Sequence, residues 1–191
     1  MKKNKRKVIL ITDGDKVARK AIENVAKQVG GRCISLSAGN PTPVTGQDLV
    51  KLIMETPFDP ILVMLDDKGE VGQGSGERAM DYIINDPNME VLGVVAVASN
   101  TQLTKKVDVD ISIDRYGHVL EGSVNKDGYP TAGGLSGDTV EILEEEDVPI
   151  VVGTGDTGKM KGFDSSRNGN QVTLKAVEEI LARSGFHVRK G

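Results

Sequence analysis

A doubly wound, mostly parallel α/β sheet with helices on both faces is the architecture that this 191-residue chain predicts. Three observations point to it. Apolar runs at residues 8–11, 61–65 and 91–98 are continuous rather than alternating, which suits strands buried on both faces. Each run ends in a polar or glycine-studded turn. Between the runs, apolar residues recur at spacings of three and four, as on helices with one buried face. No linker and no internal repeat divides the chain, so a single domain over residues 1–191 is expected.

The elements follow in order. Residues 8–11 form the first strand. Thr12, Asp13, Gly14 and Asp15 supply the turn, and Ala18, Ile22, Val25 and Val29 mark one face of the first helix. Gly30 and Gly31 stop it. Residues 33–36 read as a second strand, and residues 37–43 as a long turn-rich loop. Thr45 reads as an N-cap with Asp48 three residues on, ahead of a helix with Leu49, Leu52 and Ile53 inward. Pro57 and Pro60 bracket the entry to the third strand, 61–65. A third helix turns Ala79, Met80, Ile83 and Ile84 inward. The fourth strand is 91–98.

After that the pattern changes. Val107, Val109, Ile111 and Ile113 alternate with Asp108, Asp110 and Ser112, which predicts a half-exposed strand and a β-hairpin elaboration near 107–131. A short acidic helix ends at 144–146, and residues 149–152 form another buried strand. Residues 153–169 are a glycine-rich loop. Val172, Ala176, Val177, Ile180 and Leu181 define the last helix, which Gly185 ends.

Composition narrows the function. Hydrophobic residues are 38% and charged residues 27%, a globular rather than a disordered balance. Aromatics are only 3%, so base-stacking platforms are scarce, and the net charge of −4 argues against a general phosphate-backbone binder; no nucleic acid partner is expected. Cys33 is the single cysteine, which rules out an internal disulfide and any cysteine-based zinc site. The basic head at 1–7 precedes only four apolar residues, too few for a signal peptide. No later run approaches a membrane span. Synthesis in the cytosol as a soluble chain is the expectation.

Functional side chains are expected outside the carboxyl ends of the strands, where such sheets bind ligands. Asp13 and Asp15 follow the first strand; Asp66, Asp67 and Glu70 follow the third. In a doubly wound sheet these strands are commonly neighbours. Asp13, Asp15, Asp66 and Asp67 brought to one edge could hold Mg²⁺ or Ca²⁺, both of which want oxygen ligands. The pattern resembles a Toprim-type phosphotransfer site, but the glutamate such sites want after the first strand is replaced here by Thr12 and Asp13. The same aspartates could instead cap the free N–H groups of the helices that follow.

Gly72, Gly74, Ser75 and Gly76 precede or open the third helix, where backbone N–H groups could cradle an anion. Asn40, in the loop after the second strand, joins them as a candidate ligand contact. Residues 153–159 match the first seven positions of a P-loop. The eighth, a hydroxyl that would hold Mg²⁺, is Met160, and no helix opens at once. Gly155, Asp156 and Lys159 remain candidates to meet a smaller anion such as a carboxylate or phosphate. No G-x-S-x-G, H-E-x-x-H or Cys–His arrangement supports nucleophilic catalysis. A binding or accessory protein is therefore expected ahead of an enzyme, with a Mg-dependent phosphotransfer or nucleotide-binding module as the alternative.

Five segments together carry a resemblance: Leu-Ile-Thr-Asp-Gly-Asp (10–15), Ser-Ala-Gly-Asn-Pro-Thr-Pro (37–43), Met-Leu-Asp-Asp-Lys-Gly (64–69), Val-Ala-Ser-Asn-Thr (97–101) and Gly-Asp-Thr-Gly-Lys-Met (155–160). With them the chain resembles stage V sporulation protein AE, the soluble AE component of the SpoVA group of endospore-forming bacilli, over nearly its whole length. The resemblance implies a role in spore formation and germination. That group moves dipicolinic acid, with calcium, into the developing spore and releases it on germination. It further implies a place peripheral to the spore inner membrane, with the membrane protein SpoVAF and other SpoVA components as partners. Self-association is left open, and no catalytic residue is implied.

Overall fold

The computed structural model describes residues 4–69, 73–100 and 105–188. Residues 1–3 of the basic head, together with Glu70, Gly72 and Thr101, lie outside the described residues.

The chain opens with β1 (Arg6–Ile11), α1 (Lys16–Gln28), β2 (Arg32–Cys33), α2 (Gly46–Glu55) and β3 (Ile61–Met64). It continues with α3 (Ser75–Asn85), β4 (Met89–Val97), β5 (Lys106–Val107) and β6 (Ile111–Ile113). Next come β7 (Val119–Leu120), β8 (Ser123–Val124), β9 (Pro130–Thr131) and β10 (Leu135–Ser136), then β11 (Val151–Thr154) and α4 (Gln171–Ser184). Seven strands form one sheet in the order β2-β3-β1-β4-β11-β6-β7. Every neighbouring pair is parallel except β6 with β7. The α/β class and the helices on both faces thus agree with the sequence.

The layers follow from the two-residue period of the strands. One face of the sheet presents Val8, Leu10, Val63, Val94 and Ala96 to α2 and α3. The other presents Ile9, Ile11, Met64, Val95 and Val152 to α1 and α4. Residues 8–11 are wholly buried, which is why that run carries no polar residue. Strands β2 and β3 lie on one side of β1, and β4 lies on the other. The chain therefore reverses direction across the sheet at the β1–β4 gap, and a crevice opens at the strands' carboxyl ends.

Several elements differ from the sequence reading. The second strand stops at Cys33 and gives way to a 3-10 turn, Ser35–Ser37. The reason is Ser37. Its hydroxyl donates to Ile34 O at 2.7 Å and accepts the Met64 N–H at 2.9 Å, so a side chain replaces the ladder there. The alternating stretch 107–113 is two strands in two sheets. Val107 pairs with Leu135, whereas Ser112 lies beside Gly153 in the main sheet. Residues 111–113 are buried throughout rather than half exposed. Ser112 is accommodated because its hydroxyl donates to Gly122 O at 2.7 Å.

The elaboration near 107–131 consists of two small hairpins, β6–β7 and β8–β9. The expected acidic helix is a single 3-10 turn, Glu141–Glu144. The strand expected at 149–152 starts two residues later. Asp110 fastens its first residue, taking the Val151 N–H at 2.7 Å.

A polar cavity at the carboxyl ends of the strands

Three turns meet at the crevice, and each is fixed by a carboxylate. After β1, Asp15 caps α1 by accepting the Val17 and Ala18 N–H groups, both at 2.8 Å. After β3, Asp67 caps α3 from a distance. Its Oδ1 accepts the Gly76 N–H at 2.6 Å, and both its oxygens approach the Glu77 N–H at 3.2 Å. After β11, buried Asp164 accepts four donors. These are the Val172 and Thr173 N–H groups at 3.0 Å, the Thr173 hydroxyl at 2.5 Å and the Gly158 N–H at 2.7 Å. Asp164 thereby performs the capping that Asn170, at the N-cap of α4 in a left-handed conformation, does not.

The turns enclose a cavity of about 240 Å³. Its wall carries five carboxyl groups, Asp13, Asp15, Asp66, Asp138 and Asp156, and two ammonium groups, Lys126 and Lys159. Asn40 and the β4 end, Val97 to Asn100, complete it. Of the residues the sequence singles out, Asp13, Asp15, Asn40, Asp66, Asp156 and Lys159 line this one space.

The others sit elsewhere. Asp67 is 3% exposed and engaged with the α3 N-terminus. The N–H groups read as an anion cradle are thus occupied by the chain's own carboxylate. Gly74 is the N-cap of α3, and Ser75 lines a separate groove beside Thr45 and Tyr82. Gly76 packs so tightly that an added Cβ would lie 2.7 Å from Asp66 N. Gly155 has the same constraint: a Cβ would lie 2.7 Å from Lys126 O. At both positions the absent side chain permits a close backbone approach.

Lys159 does not behave as a P-loop lysine. Its Nζ donates to Asp15 Oδ2 at 2.5 Å and to Asp156 Oδ1 at 3.0 Å. Met160 and Lys161 then enter the left-handed region, at φ 46° and 54°, and a 3-10 turn replaces the helix a P-loop would open. Desolvation works to lower the Lys159 pKa, but the bonds to Asp15 and Asp156 outweigh it and hold the ammonium above its ordinary range. Desolvation likewise pushes Asp15 up, and the Lys159 ammonium and the α1 N–H groups bring it below the ordinary carboxylate value.

Asp13 and Asp66 show the opposite response. Burial, reinforced by the Asp15 charge, pushes Asp13 to about 7. Burial raises Asp66 to about 6, with the Asp138 charge adding to it. Asp13 accepts one weak bond, from the Asp15 N–H at 3.3 Å to its Oδ1. Crowded carboxyl groups in a partly dry space retain protons unless a cation arrives. Yet among the described residues no three His, Cys, Asp or Glu side chains are placed to hold one metal ion. Cys33 is outside the cavity, its thiol pushed by burial up to about 12. His118 is also outside, paired with Asp114 at 3.0 Å.

A second feature was not visible in the sequence. Arg115 is 4% exposed, and its guanidinium lies 4.0 Å from the Phe163 ring centre and 4.4 Å from that of Tyr129. Tyr116 packs edge-on against Phe163 at 5.2 Å. Arg115 Nη2 donates to Met160 O at 3.4 Å, while the buried Nε and Nη1 have no hydrogen-bond partner among the described residues. Three of the chain's six aromatic residues gather here, all substantially exposed. The only sequence signal was their scarcity.

A family model described as Stage V sporulation protein AE1 matches residues 7–184, nearly the whole chain. Neither a curated protein nor a solved structure matches it.

Proposed function

The chain belongs to the stage V sporulation protein AE1 family, with the sporulation-related role this implies, and from that premise we propose a non-enzymatic accessory protein of spore formation and germination. It docks on a membrane component of the SpoVA group, SpoVAF being the first candidate, and modulates the movement of dipicolinic acid or ions. In this reading it sits peripherally at the spore inner membrane.

The exposed aromatic patch over Arg115 carries the docking half of the proposal. Among the described residues no helix is long and apolar enough to cross a membrane, so contact with a membrane protein runs through a surface. Clustered aromatic rings around a guanidinium have the composition of an interface core. The Arg115 guanidinium is itself buried against the rings, so the rings and not its N–H groups form the contact surface. The non-enzymatic half rests on the cavity. Lys159 is held as an ammonium by two carboxylates and cannot act as a base. The Thr12 hydroxyl is engaged by the sheet, accepting the Val97 N–H at 2.9 Å.

Capture from detergent-solubilised spore membranes tests the docking. The membrane partner should retain this protein, and the double variant Tyr116→Ser, Phe163→Ser should lose most of that retention while folding normally. Free partitioning of the unaltered protein into the soluble fraction at low salt would overturn it.

One observation favours the Mg-dependent phosphotransfer or nucleotide-binding alternative: a carboxyl pushed to about 7 suits a general acid or base. A nucleotide with Mg²⁺ at 100 times its dissociation constant would then stabilise the fold by about 2.7 kcal/mol. No thermal shift with any nucleotide removes that reading.

A further inference from the structure

The acidic cavity is one half of a longer cleft. A second cavity of about 230 Å³ adjoins it, lined by Lys106, Lys126, Asn125 and Thr131 among others. The two share Ala98, Ser99, Asn100 and Lys126. Their charges are opposite. In the second cavity the single carboxylate, Asp127, is ion-paired with Lys161 at 3.0 Å. Lys106 and Lys126 make no ion pair among the described residues. In the first cavity Lys159 offsets Asp15 and Asp156, and Asp13 and Asp66 make no ion pair among the described residues. Asp13 is 8% exposed, and among the described residues it accepts one hydrogen bond, from the Asp15 N–H to Oδ1 at 3.3 Å.

We propose that the two cavities are one binding site for a small zwitterion, its ammonium end among Asp13 and Asp66 and its carboxylate end at Lys106 and Lys126. An ammonium group fits the acidic half better than a bare metal ion. Mg²⁺ and Ca²⁺ require several oxygens at about 2.0–2.6 Å, and among the described residues no three acidic, His or Cys side chains are placed to hold one ion. An ammonium has several N–H donors that can reach separate acceptors across a wider gap. At the other end, two ammonium groups with no ion pair among the described residues, beside the Asn125 amide and the Thr131 hydroxyl, suit a carboxylate. A singly charged ligand would leave one half of the cleft unmatched. A zwitterion matches both, so its affinity exceeds that of either half alone.

The inference goes beyond the proposed function, and the two fail separately, because docking is read by capture and this site by direct titration. Isothermal titration of the full chain with ω-amino acids, from glycine to 6-aminohexanoate, tests it. One chain length should bind at least tenfold tighter than the alkylamine and the alkanoate of equal length. Lys126→Met should abolish that advantage while leaving the alkylamine affinity within twofold. Lys106→Met, at an exposed position, should act in the same direction, and Asp13→Asn should weaken the amine end. Equal binding of amine and zwitterion, binding of calcium chloride or calcium dipicolinate without any zwitterion, or no binding across the series would each overturn the proposal.

Discussion

The acidic turn after β1 and the acidic turn after β3 are built on one plan and held in two ways. In each, one aspartate caps the next helix and the other faces the cavity. Asp15 and Asp67 cap; Asp13 and Asp66 face inward. The first cap is local, reaching two and three residues ahead, and its carboxylate is neutralised by Lys159. The second reaches nine and ten residues ahead, is almost fully buried, and has no ion pair among the described residues. The lesson is that a carboxylate pair after a strand divides its labour. Helix capping claims one member, and the other turns to the cavity, where Asp13 accepts the Asp15 N–H at 3.3 Å and Asp66 the Lys68 N–H at 2.8 Å.

Removing the caps should give the largest effects and separate the two turns. Asp67→Ala leaves two buried N–H groups without an acceptor and should cost about 2–3 kcal/mol of unfolding free energy, read from urea melts. Asp15→Ala exposes its N–H groups to water more easily and should cost about 1 kcal/mol. Equal losses would mean that burial does not distinguish the turns.

The inward members come next. Asp13 has an ordinary value of 3.8 and rises to about 7 in the folded protein, so the folded state holds this proton longer than the unfolded one. Its stabilising contribution is complete below about pH 4 and is lost as pH rises through about 7. Asp66 acts in the same sense, through about pH 6. Asp13→Asn should therefore raise stability at pH 8, on the order of 2 kcal/mol, and change little at pH 4. Thermal melts across that range would show it, and an unchanged pH profile would refute the assignment.

The smallest effect should come from Lys159→Met, which makes the first turn resemble the second. The ammonium is about a third exposed, so the stability loss should be about 1 kcal/mol or less. Asp13 should move further up in a carbon-detected NMR titration, because Asp15 and Asp156 would then face it without their counter-ion.

Much of this was legible in the chain itself. The continuous apolar runs identify β1, β3 and β4 because a strand covered on both sides has no place for a polar residue. The cap at Thr45 is also local: Thr45 and Asp48 hydrogen-bond to each other as their spacing implies. The cavity was legible in part, because strand ends in parallel order bring their turns to one edge.

What the sequence hides is non-local. Arg115 meets rings from positions 116, 129 and 163, which no periodicity connects. Asp67 and Asp164 cap helices eight or more residues downstream, beyond the reach of any capping-box pattern. The alternation over 107–113 came from two short strands in different sheets lying end to end, a coincidence that a period-2 rule cannot detect.

The four-donor carboxylate of Asp164 has a consequence for motion. It ties the segment bearing Lys159 to the start of the last helix through a single side chain, so neither can loosen alone. Backbone amides of Gly158 and Thr173 should exchange with deuterium at matching rates despite the distance between them in the chain. Anything that peels away the C-terminal helix would then unseat the cleft's lysine wall in the same event.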